Sequence, residues 1–191
     1  MNLKKLYEIV IYIILIYRLN FRKILVPYEG SYLADKALEY ALDLANMNNY
    51  KRPSKYDNGQ KTEIILLHVV PEIPITNVLF ERPIRITRIK GSVVLSEYVR
   101  ELYQQMEEGM REILERKKME SKINSASTEI KVLTLVGSPA NKIVDFASDE
   151  MVDLIIIGSN GLKGMSKFFK GLGIVARTVS ERASCTVIIT R

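Results

Sequence analysis

The sequence has one cysteine, Cys185, one histidine, His68, and no tryptophan among its 191 residues. A lone cysteine cannot form a disulfide within the chain, and this suits a reducing cytoplasm. Cys185 opens the apolar run "CTVIIT", where a buried, inert thiol is expected. One Cys and one His cannot build a Cys/His zinc site. A serine-type triad would have to use His68, yet no G-x-S-x-G elbow accompanies it. No positioned base or metal carboxylate pair can be named, so the chain is read as a non-enzyme. Neither an RNP-type aromatic motif nor a helix-turn-helix signature is present. The net charge of +6 is therefore read as tolerance for anionic ligands, with no nucleic-acid partner expected.

Long hydrophobic runs are also missing. The first twenty residues, "MNLKKLYEIVIYIILIYRLN", have an apolar core only from Ile9 to Tyr17, bounded by Glu8 and Arg18. A spanning helix needs about 20 apolar residues. Lys4 and Lys5 before this run resemble the start of a signal peptide, but no small-x-small cleavage site follows. Three readings fit residues 1–20: a membrane-surface helix, a partner-binding segment, or an extension upstream of the natural start. The last two rank ahead of membrane contact. A start near Phe21 would leave a complete domain over 21–191.

From residue 22 the chain alternates two kinds of pattern. "RKILVPYEG" (22–30) is a short apolar run closed by Pro27 and Gly30 and predicts a buried strand. "SYLADKALEYALDLANM" (31–47) then begins with Ser31 as a cap. It repeats Leu33, Ala37, Leu38, Ala41, Leu42 and Ala45 at helical spacing. A polar loop (46–61) carries Pro53 and Asn58-Gly59. Residues 62–72 predict a second strand, stopped by Pro71. Residues 73–91, with Pro74, Pro83 and Gly91, predict a basic surface insert containing Arg82, Arg85, Arg88 and Lys90. It is read as a solvated loop, with a basic lid or a partner-binding patch as the alternative. A long helix is predicted from near Ser92, with Gly109 as its weak spot. Then come a strand at 128–137, a helix capped by Ser138 with Pro139 in its first turn, a strand at 152–158, a helix at 173–183 and a strand at 184–190.

This order gives α/β, a doubly wound, five-stranded parallel sheet with helices on both faces (Rossmann-like). Ligands in such sheets bind beyond the carboxyl ends of the strands, where strand order reverses. "PYEG" (27–30) and "GSNGLKG" (158–164) both lie at that edge. His68, ending the second strand, is expected to pack beside the crevice rather than to catalyse.

The pattern from Phe21 to Arg191 resembles the universal stress protein family. "KILVPYEGSYLADKALEYALDLA" is similar to the family's first strand and helix, and "ILLHVVPE" to its second strand. "VGSPANKIVDFASDEMVDLIIIGSNG" and "GIVARTVSERASCTVIIT" are similar to the remainder. The resemblance implies a stress-response or regulatory protein that binds an adenine nucleotide, ATP with magnesium, and dimerises through its last strand. It places Pro27, Tyr28 and Glu29 beside the base and ribose, and Val69 on the adenine side. Backbone from Gly158, Ser159, Gly161, Gly173 and Ile174 faces the phosphates. Lys163, Lys167 and Lys170 in the same loop form either a solvated face or an attraction for triphosphate.

The sequence departs from the ATP-binding pattern, G-x-x-G, nine residues, then G-[S/T]. Gly158 and Gly161 supply the first part. Nine residues later comes Gly171 with Leu172, while the downstream match favours Gly173 with Ile174 after eleven. Either way the hydroxyl position is apolar, and Glu29 stands where ATP-binding relatives tend to have Asp. The alternative reading is therefore a nucleotide-free, dimeric interaction module of the same family. Walker A and G-x-G-x-x-G patterns are both absent, which excludes classical NTP hydrolysis and dinucleotide binding.

Overall fold

The computed structural model describes residues 21–51, 61–74, 83–85, 92–124, 128–160 and 172–191. Residues 1–20, most of the 73–91 insert with Arg82, Arg88 and Lys90, and the glycine loop with Gly161, Lys163, Lys167 and Lys170 lie outside them.

Alternation in the apolar runs builds the sheet. β1 (Lys23–Pro27), β2 (Glu63–Pro71), β5 (Glu129–Gly137), β6 (Leu154–Gly158) and β7 (Thr186–Thr190) pair in the order β5-β2-β1-β6-β7, and every neighbouring pair is parallel. Both faces are covered, so both parities of each inner strand are apolar. Ile24, Val26, Ile64, Leu66, Leu154 and Ile156 turn to one face. There they meet Ala34, Ala37, Leu38, Ala41 and Ala45 of α1 (Tyr32–Lys51) and Leu114 of α2 (Leu95–Asn124). Leu25, Ile65, Leu67, Ile155 and Ile157 turn to the other face. That face is packed by Ile143 and Ala147 of α3 (Pro139–Asp149) and by Ala176 and Val179 of α4 (Ile174–Arg182). The small side chains at every turn of α1 let the helix lie close to the strands.

Two expectations need correction. The long helix does not start near Ser92. Ser92–Val94 form a short strand, β4, antiparallel to β3 (Pro83–Arg85), and α2 begins at Leu95. The 73–91 insert is therefore not all loop, since β3 lies within it. Helix α2 also runs unbroken through Gly109, around which a β-carbon would meet nothing within 4 Å. The caps differ from each other. Ser31 Oγ accepts from the Ala34 amide at 3.1 Å and caps α1, whereas Ser138 takes the N-cap position of α3 without a side-chain hydrogen bond.

Ile155 is fully buried in the second core. Truncating it should cost about 2–5 kcal/mol by lost burial and cavity formation. Urea unfolding of Ile155→Ala measures this against Glu39→Ala, an exposed control; a loss under about 1 kcal/mol would contradict the packing described.

Candidate functional site

Strand order reverses between β1 and β6, so the turn after β1 and the residues that follow β6, Ser159 and Asn160, flank one crevice at the carboxyl edge of the sheet. The crevice is stepped. β1 ends at Pro27, opposite Leu67, while β2 continues to Pro71 with β5 beside it to Gly137. In a parallel strand, successive residues send their backbone groups alternately to the two neighbours. The Tyr28 amide donates to the Leu67 carbonyl at 2.8 Å, so Leu67 faces β1. Val69, two residues on, sends its N–H and C=O to the same side, past the last residue of β1.

His68 has the opposite parity and a structural task. Its Nδ1 lies 2.8 Å from the Tyr28 carbonyl oxygen. A carbonyl only accepts, so Nδ1 carries the proton and, in the neutral ring, Nε2 is an acceptor. The imidazole therefore fixes the end of β1.

The turn itself is closely held. Gly30 has φ +85, a conformation costly for residues with a β-carbon. Ser31 donates its hydroxyl to Glu29 Oε1 while accepting from the Ala34 amide, which ties the carboxylate to the start of α1. Pro27 is buried and Glu29 half-buried. Tyr28 is placed otherwise than expected. Its ring is buried in the α1 core, and its hydroxyl donates to Asp35 Oδ1 at 2.6 Å. Asp35 Oδ1 also meets Lys117 Nζ of α2 at 3.0 Å. Burial, then the hydrogen bond and charge of Asp35, push the Tyr28 phenol far above its usual range. Only the backbone of Tyr28 can flank a ligand.

On the other side of the crevice, Gly158 is required by packing. A β-carbon there would sit 3.0 Å from Leu33 Cβ and 3.2 Å from Leu33 C, so the first turn of α1 rests directly on this glycine. Thr190, ending β7, donates its hydroxyl to the Leu33 carbonyl at 3.0 Å. The Ser159 amide donates to the Thr190 carbonyl, and the Ser159 carbonyl accepts from the Gly173 amide, each at 2.8 Å. Ser159 thus does not hold a free amide toward the crevice, contrary to expectation, and the Gly173 amide is likewise engaged. This clasp joins the end of β6 to the start of α4. It makes position 173 tight for a side chain, since a β-carbon would be 3.1 Å from the Ser159 oxygen and 3.2 Å from Asn160 Oδ1.

Gly173 rather than Gly171 precedes the helix, and it brings no capping side chain to α4. The first-turn amides of Ile174, Val175 and Ala176 lie at the positive end of the helix dipole, with no side-chain cap among the described residues. Ile174 stands 84% exposed beside them. Asp35, Lys117, Thr190 and Asn160 were not legible as site residues. Their roles depend on helix crossing and backbone bonds that leave no local motif. Among the described residues no group of His, Cys, Asp and Glu could hold a metal ion, and no helix is long and apolar enough to cross a membrane.

A doubly wound parallel sheet with a stepped crevice at its switch point, flanked by a glycine-started helix, defines a Rossmann-like α/β architecture. The model of the "Universal stress protein family" matches residues 56–191, and the chain belongs to that family. It is 28% identical over 172 residues to "Universal stress protein YxiE" of Bacillus subtilis, covering 90% of this chain and 99% of the relative. Its fold is similar to that of universal stress protein UspA from Lactobacillus plantarum, with TM-score 0.63 and 22% identity over 90% of this chain and 99% of that one. A universal stress protein solved in complex with cAMP has TM-score 0.56 and 17% identity, covering 90% of this chain and 98% of its own.

Because Gly158 is packed against backbone as well as a side chain, Gly158→Ala should destabilise the protein by about 1–3 kcal/mol. Chemical denaturation measures this, and a neutral or stabilising result would show that α1 does not rest on β6 as described.

Proposed function

We propose that this protein is a regulatory, adenine-nucleotide-binding member of its family, with ATP and accompanying magnesium as ligand. The observation that carries the reading is the pair of backbone surfaces facing one crevice. Val69 offers a donor and an acceptor past the end of β1, the arrangement that an adenine edge needs. The first turn of α4 offers amides without a side-chain cap, the arrangement that suits phosphate. Glu29, between them, supplies a carboxylate for ribose hydroxyls. Gly158 lets the first turn of α1 lie close on the β6 side of the crevice, Gly161 adds backbone for the phosphates, and Pro27 lines the base side. The cAMP complex of a protein with this fold supports the same ligand class.

The ligand acts here as an effector and is not turned over. Dimerisation goes through β7, an edge strand with Ile188 37% exposed, and the protein works in the cytoplasm. A second reading, a nucleotide-free interaction module, is favoured by one observation: the Ser159 and Gly173 amides are already spent on the clasp. Mass spectrometry of gently purified protein separates the two by nucleotide retained or absent.

Titration with labelled ATP and magnesium should saturate below millimolar nucleotide; no saturable binding there would reject the proposal. Ile174 stands where ATP-binding relatives carry a hydroxyl. Ile174→Ser should add one hydrogen bond of about 0.5–1.5 kcal/mol and tighten binding by up to about tenfold.

A further inference from the structure

The turn that carries Glu29 is tied to a helix distant in sequence. Tyr28 lies at the end of β1, Asp35 on the first turns of α1 and Lys117 on α2, and they form one polar chain. Tyr28 donates to Asp35 at 2.6 Å, Asp35 Oδ1 pairs with Lys117 Nζ at 3.0 Å, and Lys117 also meets Glu120 at 3.5 Å. The Tyr28 amide and carbonyl are held by Leu67 and His68 on β2, both at 2.8 Å. Four elements are therefore pinned through one residue adjoining the crevice.

Helix α2 is the least anchored of the four. It is 30 residues long, about 45 Å at 1.5 Å per residue. Among its described side chains only Val99, Leu114 and Ser121 are buried. Met106, Ile113 and Met119 are exposed at 40%, 38% and 67%. A helix with so few buried anchors opens or shifts at low cost. Lys117 lies one turn after Leu114, where the helix is tied most directly to the crevice turn. The Asp35 hydrogen bond and charge raise the Lys117 pKa, keeping the ammonium charged and the bridge intact at neutral pH.

We propose that Tyr28, Asp35 and Lys117 couple the 28–31 turn to helix α2, so that ligand in the crevice steadies α2 and restraint of α2 tightens the crevice. Coupling of this kind is reciprocal. It needs a responsive element, and α2 supplies one. The ligand half of the proposal rests on the nucleotide reading above, while the hold of Lys117 on the turn can be measured without ligand. Tyr28 and Lys117 are positioning residues here, since neither side chain faces the crevice.

The test is amide hydrogen exchange by mass spectrometry on the full chain, with and without ATP and magnesium. The variants are Tyr28→Phe, Lys117→Met and the charge-retaining Lys117→Arg. In the wild type, ATP should slow exchange at 172–177 and also along 100–120. In Tyr28→Phe and Lys117→Met the protection at 172–177 should persist, while the response of α2 disappears and Kd rises about two- to fivefold, the range a half-exposed ion pair transmits. Lys117→Arg should restore the α2 response. Protection at 172–177 with no change along α2 in the wild type would overturn the coupling. If ATP protects nothing, the nucleotide reading fails and the ligand-free comparison decides. Lys117→Met should then speed exchange at 30–36, and unchanged exchange there would overturn the bridge as well.

Discussion

The early end of the central strand is the constraint from which the rest of this molecule follows. Pro27 has no amide hydrogen to give to β6, and β1 ends there, opposite Leu67, with only the Tyr28 amide still bonded to Leu67, while β2 and β5 continue to Pro71 and Gly137. Had β1 continued beside them, the backbone of Val69 would be paired and the crevice filled by sheet. Because it stops, the chain must turn at once into α1, and the turn inherits a left-handed glycine at Gly30 and a capping serine at Ser31. The step in the sheet, the helix that starts beside it and the concave edge all follow from where β1 ends.

What holds the step open is polar, in a molecule otherwise built on apolar burial. The two cores, on α1 and α2 and on α3 and α4, account for the sheet. At the carboxyl edge the order is kept by a few hydrogen bonds: His68 to Tyr28, Ser31 to Glu29, Ser159 to Thr190 and Gly173 to Ser159. Each is individually modest, about 0.5–1.5 kcal/mol net. Together they tie β1, β2, β6, β7 and α4 around one rim. The polar bonds order the rim, and the apolar cores hold the sheet beneath it.

The sheet was legible in the sequence because its strands are buried on both faces. Runs such as Ile64–Leu67 and Leu154–Ile157 have no other reading at that length between turn signals. Helix α1 was legible from its alanine and leucine spacing and from Ser31. The β3–β4 hairpin was not, because three-residue strands show no period, and Ser92–Val94 runs directly into a strongly helical pattern. The direction of the Tyr28 ring followed from strand parity with Ile24 and Val26, a rule available in the sequence but outweighed by the resemblance that placed residue 28 beside a base. The roles of Ser159 and Gly173 were hidden for another reason. They are backbone roles, and a motif of glycines does not tell whether an amide is offered to a ligand or already taken by the chain. Lys117 could not be found at all, since its partner depends on how α2 crosses α1.

The clasp between Ser159 and Gly173 brings the end of β6 and the start of α4 together by a backbone bond. The Gly173 amide meets the Ser159 carbonyl at 2.8 Å, and once a loop is closed at its base, added length costs chain entropy only slowly. Closing a spacer of eleven residues rather than nine costs only about 0.2 kcal/mol of chain entropy. A change of length between those two ends leaves both the strand before it and the helix after it in place, because β6 and α4 are held by the second core and not by the loop.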